Sequence, residues 1–474
     1  MATSRRPNVV VINCDDLGYG DLGCYGSSRN ETPVLDRMAA EGVRFTDFYM
    51  ASPVCSPSRA ALLTGCYPPR IGFGDFDGLP VLFPGHRLGL HGDEVTIADV
   101  LGRAGYATMH VGKWHCGDQP PFLPTRHGFD GYYGIPYSND MGRQVWPEGV
   151  PPLPELMSQF EMPFPVTEMP PLPLILGEEV IEAQPDQASL TARFVEQSVR
   201  FLRANRDRPF FLYLAHIYVH LPIYVQERFA RASRNGAYGA AVATVDWAAG
   251  VLLAELRRLG LDHDTLVIFT SDNGSRAADE GGSNLPLCGV KGTTWEGGMR
   301  VPCVARWPGR IPAGTVRSAV TTSMDLFPTL AALAGADVAT EHTVDGRDIS
   351  ALLFGESDVS PHDVFLYYRG NDLEAVRSGR WKLHLAKQGV AVDELYDLDA
   401  DVGETTDRYG EHADVVAALL IHADRARADL GDARLGIKGF GVRPVGEVAD
   451  ARPLTTFDPD HPYYMAEYDL PERG

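Results

Sequence analysis

Four short stretches of the chain carry side chains able to do chemistry together. They supply Asp15 and Asp16 in INCDD, Lys113 and His115 in VGKWHCG, His216 and His220 in LAHIYVHLP, and Asp272 and Asn273 in TSDNG. Asp15, Asp16, Asp272 and Asn273 all offer oxygen, a set that suits a hard divalent cation, calcium or magnesium, rather than zinc. An Asp-Asp pair after a strand also serves as a turn or a helix cap, but a second acid–amide pair placed in the same way favours the cation site. Arg59, Lys113 and Lys291 are candidate cations for an anionic group, and His115 and His220 can move protons near neutral pH. His216 lies nearer its strand and is expected to be a core histidine. A pocket of this composition would hold a small tetrahedral oxyanion and stabilise charge moving between its oxygens. Phosphate and sulfate esters both fit.

The stretch PVCSPSRAALLTG, residues 53–65, places a thiol, Cys55, at the mouth of a helix, with Pro57 and Arg59 just behind it. Three readings compete: a buried structural cysteine, a thiol nucleophile, or a cysteine converted into another group. A thiolate is a poor partner for an oxygen-ligated hard cation. An inert buried cysteine leaves Pro57 and Arg59 without a purpose.

These groups need a scaffold that brings strand ends together. Asparagine 8 to Asp16, TLVIFTSDNG and PFFLYLAHIYVHLP read as strands ending in polar residues, and ATMHVGKWHCG reads as a strand and loop. Between them ETPVLDRMAAEGVRF, TIADVLGRAGY, SLTARFVEQSVRFLRAN and VDWAAGVLLAELRRLGL read as helices. Alternation of this kind predicts an α/β fold with a mostly parallel sheet covered on both faces and a site at the carboxyl ends of its strands. Residues 146–187 are proline-dense, unsuited to regular helix or a central strand, and expected to form an ordered surface excursion. After about residue 357 the rhythm changes to short antiparallel strands and one helix, so a catalytic domain over 1–357 and a smaller α+β unit over 358–474 are expected.

Composition narrows the partners. The 474 residues carry a net charge of −21, which disfavours nucleic acid and requires any anionic substrate to be held by a local positive pocket. No apolar run approaches the ~20 residues of a membrane span. The seven cysteines lack a CxxC pair, and MATSRRPNVVVINCDD reads as a first core strand rather than a leader. A cytoplasmic location is the expectation, or a secreted or periplasmic one if a leader has been removed.

Cys-x-Pro-x-Arg followed by AALLTG resembles the motif of the type I sulfatases. GKWHCG, SDNG, KGTTWEGGMRVP and RWKLHL…ELYDLDAD match the same family in order, and the similarity runs to about residue 410. GIPYSND and PFFLYLAHIYVHLP look most like its arylsulfatase A and galactosamine-6-sulfatase relatives. The resemblance implies an alkaline-phosphatase-like fold: a large mixed sheet between helices plus a small C-terminal sheet and helix. It also implies hydrolysis of a sulfate monoester of a phenol or sugar, with release of inorganic sulfate. By the same resemblance a formylglycine-generating enzyme converts Cys55 to Cα-formylglycine, whose hydrate attacks sulfur with one hydroxyl and expels sulfate with the other. Asp15, Asp16, Asp272, Asn273 and residue 55 match calcium ligands. Arg59 and Lys113 match residues holding the formylglycine, His115 the base for the collapse, His220 and Lys291 the groups gripping sulfate, and Ser138 a supporting hydroxyl. Asn139 departs from the pattern, standing where relatives often carry histidine. The rivals are a phosphonate monoester or phosphodiester hydrolase of the same superfamily, against which Asn273 argues, and a non-catalytic sulfate-binding module, which would need no general base.

Overall fold

The computed structural model describes residues 6–145, 169–276, 280–338, 342–464 and 466–467. Ten strands build the main sheet: β1 (Asn8–Cys14), β2 (Val43–Phe45), β3 (Ala107–Lys113), β4 (Gly131–Ile135), β5 (Pro173–Leu176), β6 (Glu179–Ala183), β7 (Phe210–Ala215), β8 (Thr265–Ser271), β9 (Cys303–Arg306) and β10 (Thr315–Arg317). Their spatial order is β10-β2-β9-β8-β1-β7-β3-β4-β5-β6. The central five, β8-β1-β7-β3-β4, are parallel, and antiparallel partners flank them on either side. A parallel strand buried on both faces must be apolar throughout, and β1 is fully buried along NVVVINC.

Alternate residues of β1 feed two cores. Val9 and Val11 pack with Leu62, Leu101 and Leu330, from helices α2 (Cys55–Thr64), α3 (Ile97–Arg103) and α6 (Leu326–Ala334). Val10 and Ile12 pack with Leu35, Phe194 and Leu252, from α1 (Pro33–Ala40), α4 (Gln187–Ala204) and α5 (Gly236–Arg258). Among the described residues, α5 is long and apolar enough to cross a membrane, contrary to the sequence expectation that no such run exists. It is a core helix instead: 67% of its most apolar window is buried, and its Asp246 accepts hydrogen bonds from the Leu35 and Val34 amides at the start of α1.

A second sheet follows: β11 (Phe365–Arg369), β12 (Asp372–Ser378), β13 (Trp381–Lys387) and β14 (Val390–Asp397), antiparallel in sequence order. Helix α7 (Ala413–Leu430) packs on it through Val416, Leu419 and Ala423. Tyr49, Ala61, Met299 and Met324, which precede this sheet in the chain, share that core, so the two sheets are joined by packing. Of the proline-dense stretch, residues 146–168 lie outside the described residues. Beyond them the chain adds the antiparallel strands β5 and β6 at the sheet edge, where Pro173, first in its strand, costs no central hydrogen bond. Past α7 the chain returns across the sequence: Gly446 and Glu447 pair with Gly89 and Leu88.

Candidate active site

The chemistry-bearing residues meet where the parallel strands end. Asp15 and Asp16 follow β1, Asp272 and Asn273 follow β8, Lys113 closes β3 with His115 just beyond, and the loop after β7 carries His220. Two backbone features make the convergence possible. Gly112 has φ +107°, and a Cβ there would fall 1.8 Å from the Ala215 carbonyl oxygen, so only glycine lets β3 and β7 close up one residue before Lys113. Asp16 and His115 have φ of 59° and 61°, left-handed values that few residues other than Asn, Asp, His and Gly adopt. The β7 loop is pinned to β1: the Asp15 amide donates to the Tyr218 carbonyl (3.1 Å) and the Val219 amide to the Asp15 carbonyl (2.6 Å).

Cys55 is the first residue of α2, a helix buried along its whole length. Pro57 is tolerated because first-turn amides have no partner within the helix. Those free amides and the helix dipole favour negative charge near residue 55. The Cys55 sulfur lies 3.6 Å from Asp15 Oδ1. Arg59, one turn on, donates from Nε to Asp272 (2.8 Å) and from Nη1 to the Lys113 carbonyl (2.9 Å), tying α2, β8 and β3 together. Arg59 is therefore hydrogen-bonded to the strand ends.

The charges interlock. Lys113 Nζ donates to Asp15 Oδ2 (2.6 Å) and to Ser138 Oγ (3.0 Å), and Lys291 Nζ donates to Asp16 Oδ2 (2.9 Å). Three carboxylates, Asp15, Asp16 and Asp272, thus face three cations, Arg59, Lys113 and Lys291. Burial would raise the Asp15 carboxyl, but Lys113, then Arg59, hold it well below the ordinary range. Burial likewise opposes ionisation of Asp16, and Lys291, which also donates to it, overcomes it. Asp272 is pushed up to about 6 by burial and by Asp15, against the pull of Arg59. Burial pushes the Cys55 thiol up to about 12 in spite of Lys113 and Lys291, so at neutral pH it is a thiol and a weak nucleophile.

Both histidines are neutral. Burial, then Lys113, holds His115 well below its ordinary value, and burial with Lys291 lowers His220. His115 Nε2 lies 2.9 Å from the Leu82 carbonyl, which can only accept, so Nε2 carries the proton and buried Nδ1 keeps a lone pair with no partner. His220 Nδ1 lies 2.5 Å from the Leu221 carbonyl, leaving Nε2 at 3.8 Å from Asp16 Oδ2. His216 is buried as expected, but neither ring nitrogen has a hydrogen-bond partner; burial lowers it to about 3.

A divalent cation fits these residues. One ligand atom each from Asp15, Asp16, Cys55 and His220 lies within 4.8 Å of the others, all buried. Asn273 donates from Nδ2 to Asp16 Oδ1 (2.7 Å), and its buried Oδ1 has no donor, an acceptor left over for a cation. The Cys55 sulfur is the soft member of an otherwise oxygen-rich set. Asn139, the departure from the family pattern, donates to Gln187 Oε1 and the Pro222 carbonyl, both 2.9 Å, and so braces the loop after His220.

Sequence reasoning missed the charged cluster behind the site. Buried Glu296 accepts from Tyr367 Oη (2.8 Å) and Lys382 Nζ (3.0 Å), and Lys382 also meets Glu404 (2.9 Å). Glu296 and Lys382 both lie in stretches that carry the family resemblance, yet no spacing rule pairs residues so far apart.

A parallel α/β sheet presenting buried carboxylates, fixed cations and neutral histidines at its strand ends defines a hydrolase of oxyanion esters. The chain belongs to the sulfatase family, whose model matches residues 7–336; a second model, N-sulphoglucosamine sulphohydrolase, C-terminal, matches residues 291–427. It is 41% identical to arylsulfatase A of Homo sapiens over 89% of this chain and 87% of that one. It is 42% identical to N-acetylgalactosamine-6-sulfatase of Rattus norvegicus over 80% of this chain and 72% of that one. Among solved structures, the PsFucS1 sulfatase from Pseudoalteromonas sp. superposes with a TM-score of 0.77 at 29% identity, covering 90% of each chain. A phosphonate monoester hydrolase of Agrobacterium radiobacter shares the fold alone, with a TM-score of 0.58 and 24% identity. The chain is accordingly a sulfuric ester hydrolase, and its substrates are sulfated. These relatives also correct the cytoplasmic expectation, because arylsulfatase A and N-acetylgalactosamine-6-sulfatase point away from that compartment. The expectation rested on the first residues and on seven scattered cysteines that suit a reducing compartment; a core strand at the start is required by the fold in any compartment.

Proposed function

We propose that the protein hydrolyses sulfate monoesters of a phenol or a sugar hydroxyl at residue 55, after a formylglycine-generating enzyme has converted Cys55 to Cα-formylglycine. The observation that carries this reading is the state of Cys55: a thiol held up to about 12 by burial, 3.6 Å from a carboxylate oxygen, at the centre of an oxygen-rich cation site. As a thiol it is neither a good nucleophile nor a good ligand for a hard cation. The conversion supplies a hydrated aldehyde with two hydroxyls, and a calcium ion (or magnesium) supplies a Lewis acid beside them. Asp15, Asp16, Asp272, Asn273 and the modified residue 55 would hold that cation.

The chain's own groups do the rest. Lys113, fixed between Asp15 and Ser138, places positive charge beside residue 55, with Ser138 orienting the ammonium. Lys291 and His220 lie together against Asp16; Lys291 grips sulfate oxygens, and His220, whose Nδ1 proton is held by the Leu221 carbonyl, assists the leaving oxygen once Nε2 has taken up a proton beside the anionic ester. The unpartnered Nδ1 of neutral His115 accepts the proton whose loss drives sulfate release. Arg59 braces α2 against β8 and β3 and so sets the position of residue 55. With three acids and three cations already balanced, a divalent cation leaves the pocket net positive, which suits an anionic ester in a chain of charge −21. Residues 1–357 would form the catalytic domain and residues 358–474 the smaller unit.

The test is the mass of the peptide bearing residue 55, measured on protein produced with and without the converting enzyme, alongside turnover of an aryl sulfate. Activity should track the aldehyde-bearing fraction. Full turnover by protein that carries only the thiol would refute the proposal. A panel of sulfated mono- and disaccharides then identifies the alcohol.

A further inference from the structure

The segment that delivers Lys291 is held from two sides. On the catalytic side, the Lys291 amide donates to the Ser275 carbonyl (3.0 Å) and the Gly292 amide to the Pro53 carbonyl (2.9 Å), two residues before Cys55. Gly292 itself turns with φ +81°, so the chain leaves the site immediately after Lys291. On the other side three anchors come from the C-terminal sheet. Thr294 Oγ1 donates to Glu374 Oε2 (2.7 Å) on β12, and Lys382 Nζ on β13 donates to the Thr294 carbonyl (2.8 Å). Arg369 Nε, at the exposed end of β11, donates to the Gly292 carbonyl (3.1 Å). Glu374 is held in turn by the Gly389 amide (2.9 Å), and Lys382 by Glu296 and Glu404. Thr294, Glu374 and Lys382 are all buried.

The geometry points to a role for the C-terminal sheet in the reaction itself: Thr294, Glu374, Lys382 and Arg369 are positioning residues for Lys291. None touches the reacting centre. They fix Gly292 and Thr294, the first and third residues after Lys291, and thereby the reach of its ammonium toward Asp16 and the sulfate oxygens. The inference rests on the proposed role of Lys291 and adds that the smaller unit is needed to aim it. A long, flexible lysine gains catalytic value only when its backbone is fixed, because a charge that must reorganise during the reaction stabilises little.

The experiment is a double-mutant cycle on the full-length, calcium-loaded protein, with conversion of residue 55 verified by mass. Thr294→Val, Thr294→Ser and Lys291→Ala, and the Val and Ala changes combined, are compared by kcat and KM on a nitrophenyl sulfate and on a sugar sulfate. With Lys291 present, Thr294→Val should lower kcat/KM about tenfold, more for the sugar sulfate, whose leaving group is poorer, while Thr294→Ser keeps the hydroxyl and stays near wild type. In the Lys291→Ala background the same Thr294→Val change should cost less than about twofold. Equal losses in both backgrounds would show a structural effect only and overturn the inference while leaving the role of Lys291 intact. An unimpaired Lys291→Ala would overturn the role of Lys291 itself, and the inference with it. Should Thr294→Val not fold, as judged by its thermal transition, the same cycle on Arg369→Ala decides: a loss confined to the Lys291 background supports the inference, and an additive or absent loss overturns it.

Discussion

Replacing Lys113 by alanine separates two effects that the structure places on one side chain. The ammonium sits 2.6 Å from Asp15 Oδ2, with Arg59 Nη2 3.8 Å from the same oxygen. At an effective dielectric of about 20 these separations correspond to about 6 and about 4 kcal/mol of attraction respectively. Arg59 is already shared with Asp272 at 2.7 Å, so it cannot fully replace Lys113. Loss of one partner from a buried pair costs about 3–5 kcal/mol. Part of that should be restored by a divalent cation, which meets the same carboxylate. The catalytic loss should not be restored, because the cation cannot supply charge where Lys113 stood against the developing oxyanion. Such a charge is worth about 3 kcal/mol, or about a hundredfold in kcat/KM. The assay is steady-state hydrolysis of a nitrophenyl sulfate together with thermal unfolding, each with and without excess calcium, on protein of verified residue 55 composition. The expected pattern is a destabilised variant whose stability recovers with calcium while its kcat/KM stays about a hundredfold down. Turnover within about threefold of wild type would show that the charge facing the substrate lies elsewhere, and the reasoning would fail.

Chelation should abolish activity, and calcium or magnesium should restore it, whereas zinc or manganese should not exceed them, given the oxygen-rich ligand set; full rescue by zinc alone would contradict the assignment. Cys55→Ser should release at most one phenol per site and retain a sulfuryl group on the peptide bearing residue 55, since a serine ester has no second hydroxyl to expel sulfate; sustained turnover would mean that water attacks sulfur directly. His127 is buried, without a partner for either ring nitrogen, and held down to about 4 by burial. It is neutral in the fold and protonated on unfolding, so between pH 6.5 and 4 the unfolded chain holds the extra proton and stability falls as pH falls. Compared with His127→Phe, wild type should lose about 1.5 kcal/mol more between pH 6.5 and pH 5, read from denaturant unfolding; parallel pH profiles would show that the ring is solvated or paired.

The strand-and-helix alternation, the acids and amide at the strand ends, and the cysteine at the start of α2 were legible in the sequence because they are local. An apolar run closing on polar residues specifies a buried strand that delivers side chains at its carboxyl end, whatever its neighbours. The family motifs were legible for the same reason, being contiguous. What sequence left open is what depends on pairs distant in the chain. That Lys113 neutralises Asp15 and that Arg59 spans Asp272 and the Lys113 carbonyl follow from the order β8-β1-β7-β3, and that Lys291 sits on Asp16 follows from the contacts that hold its loop; no spacing encodes either. The state of Cys55 was equally out of reach, since its thiol is held up by burial, which only the closed fold imposes. The apolar helix over residues 236–258 shows the same division from the other side. Its composition suits a membrane as well as a core, and only the partners packed around it decide which. Local residue types set which groups are available; the long-range pairing that buries them sets their charge, their reach and their partners.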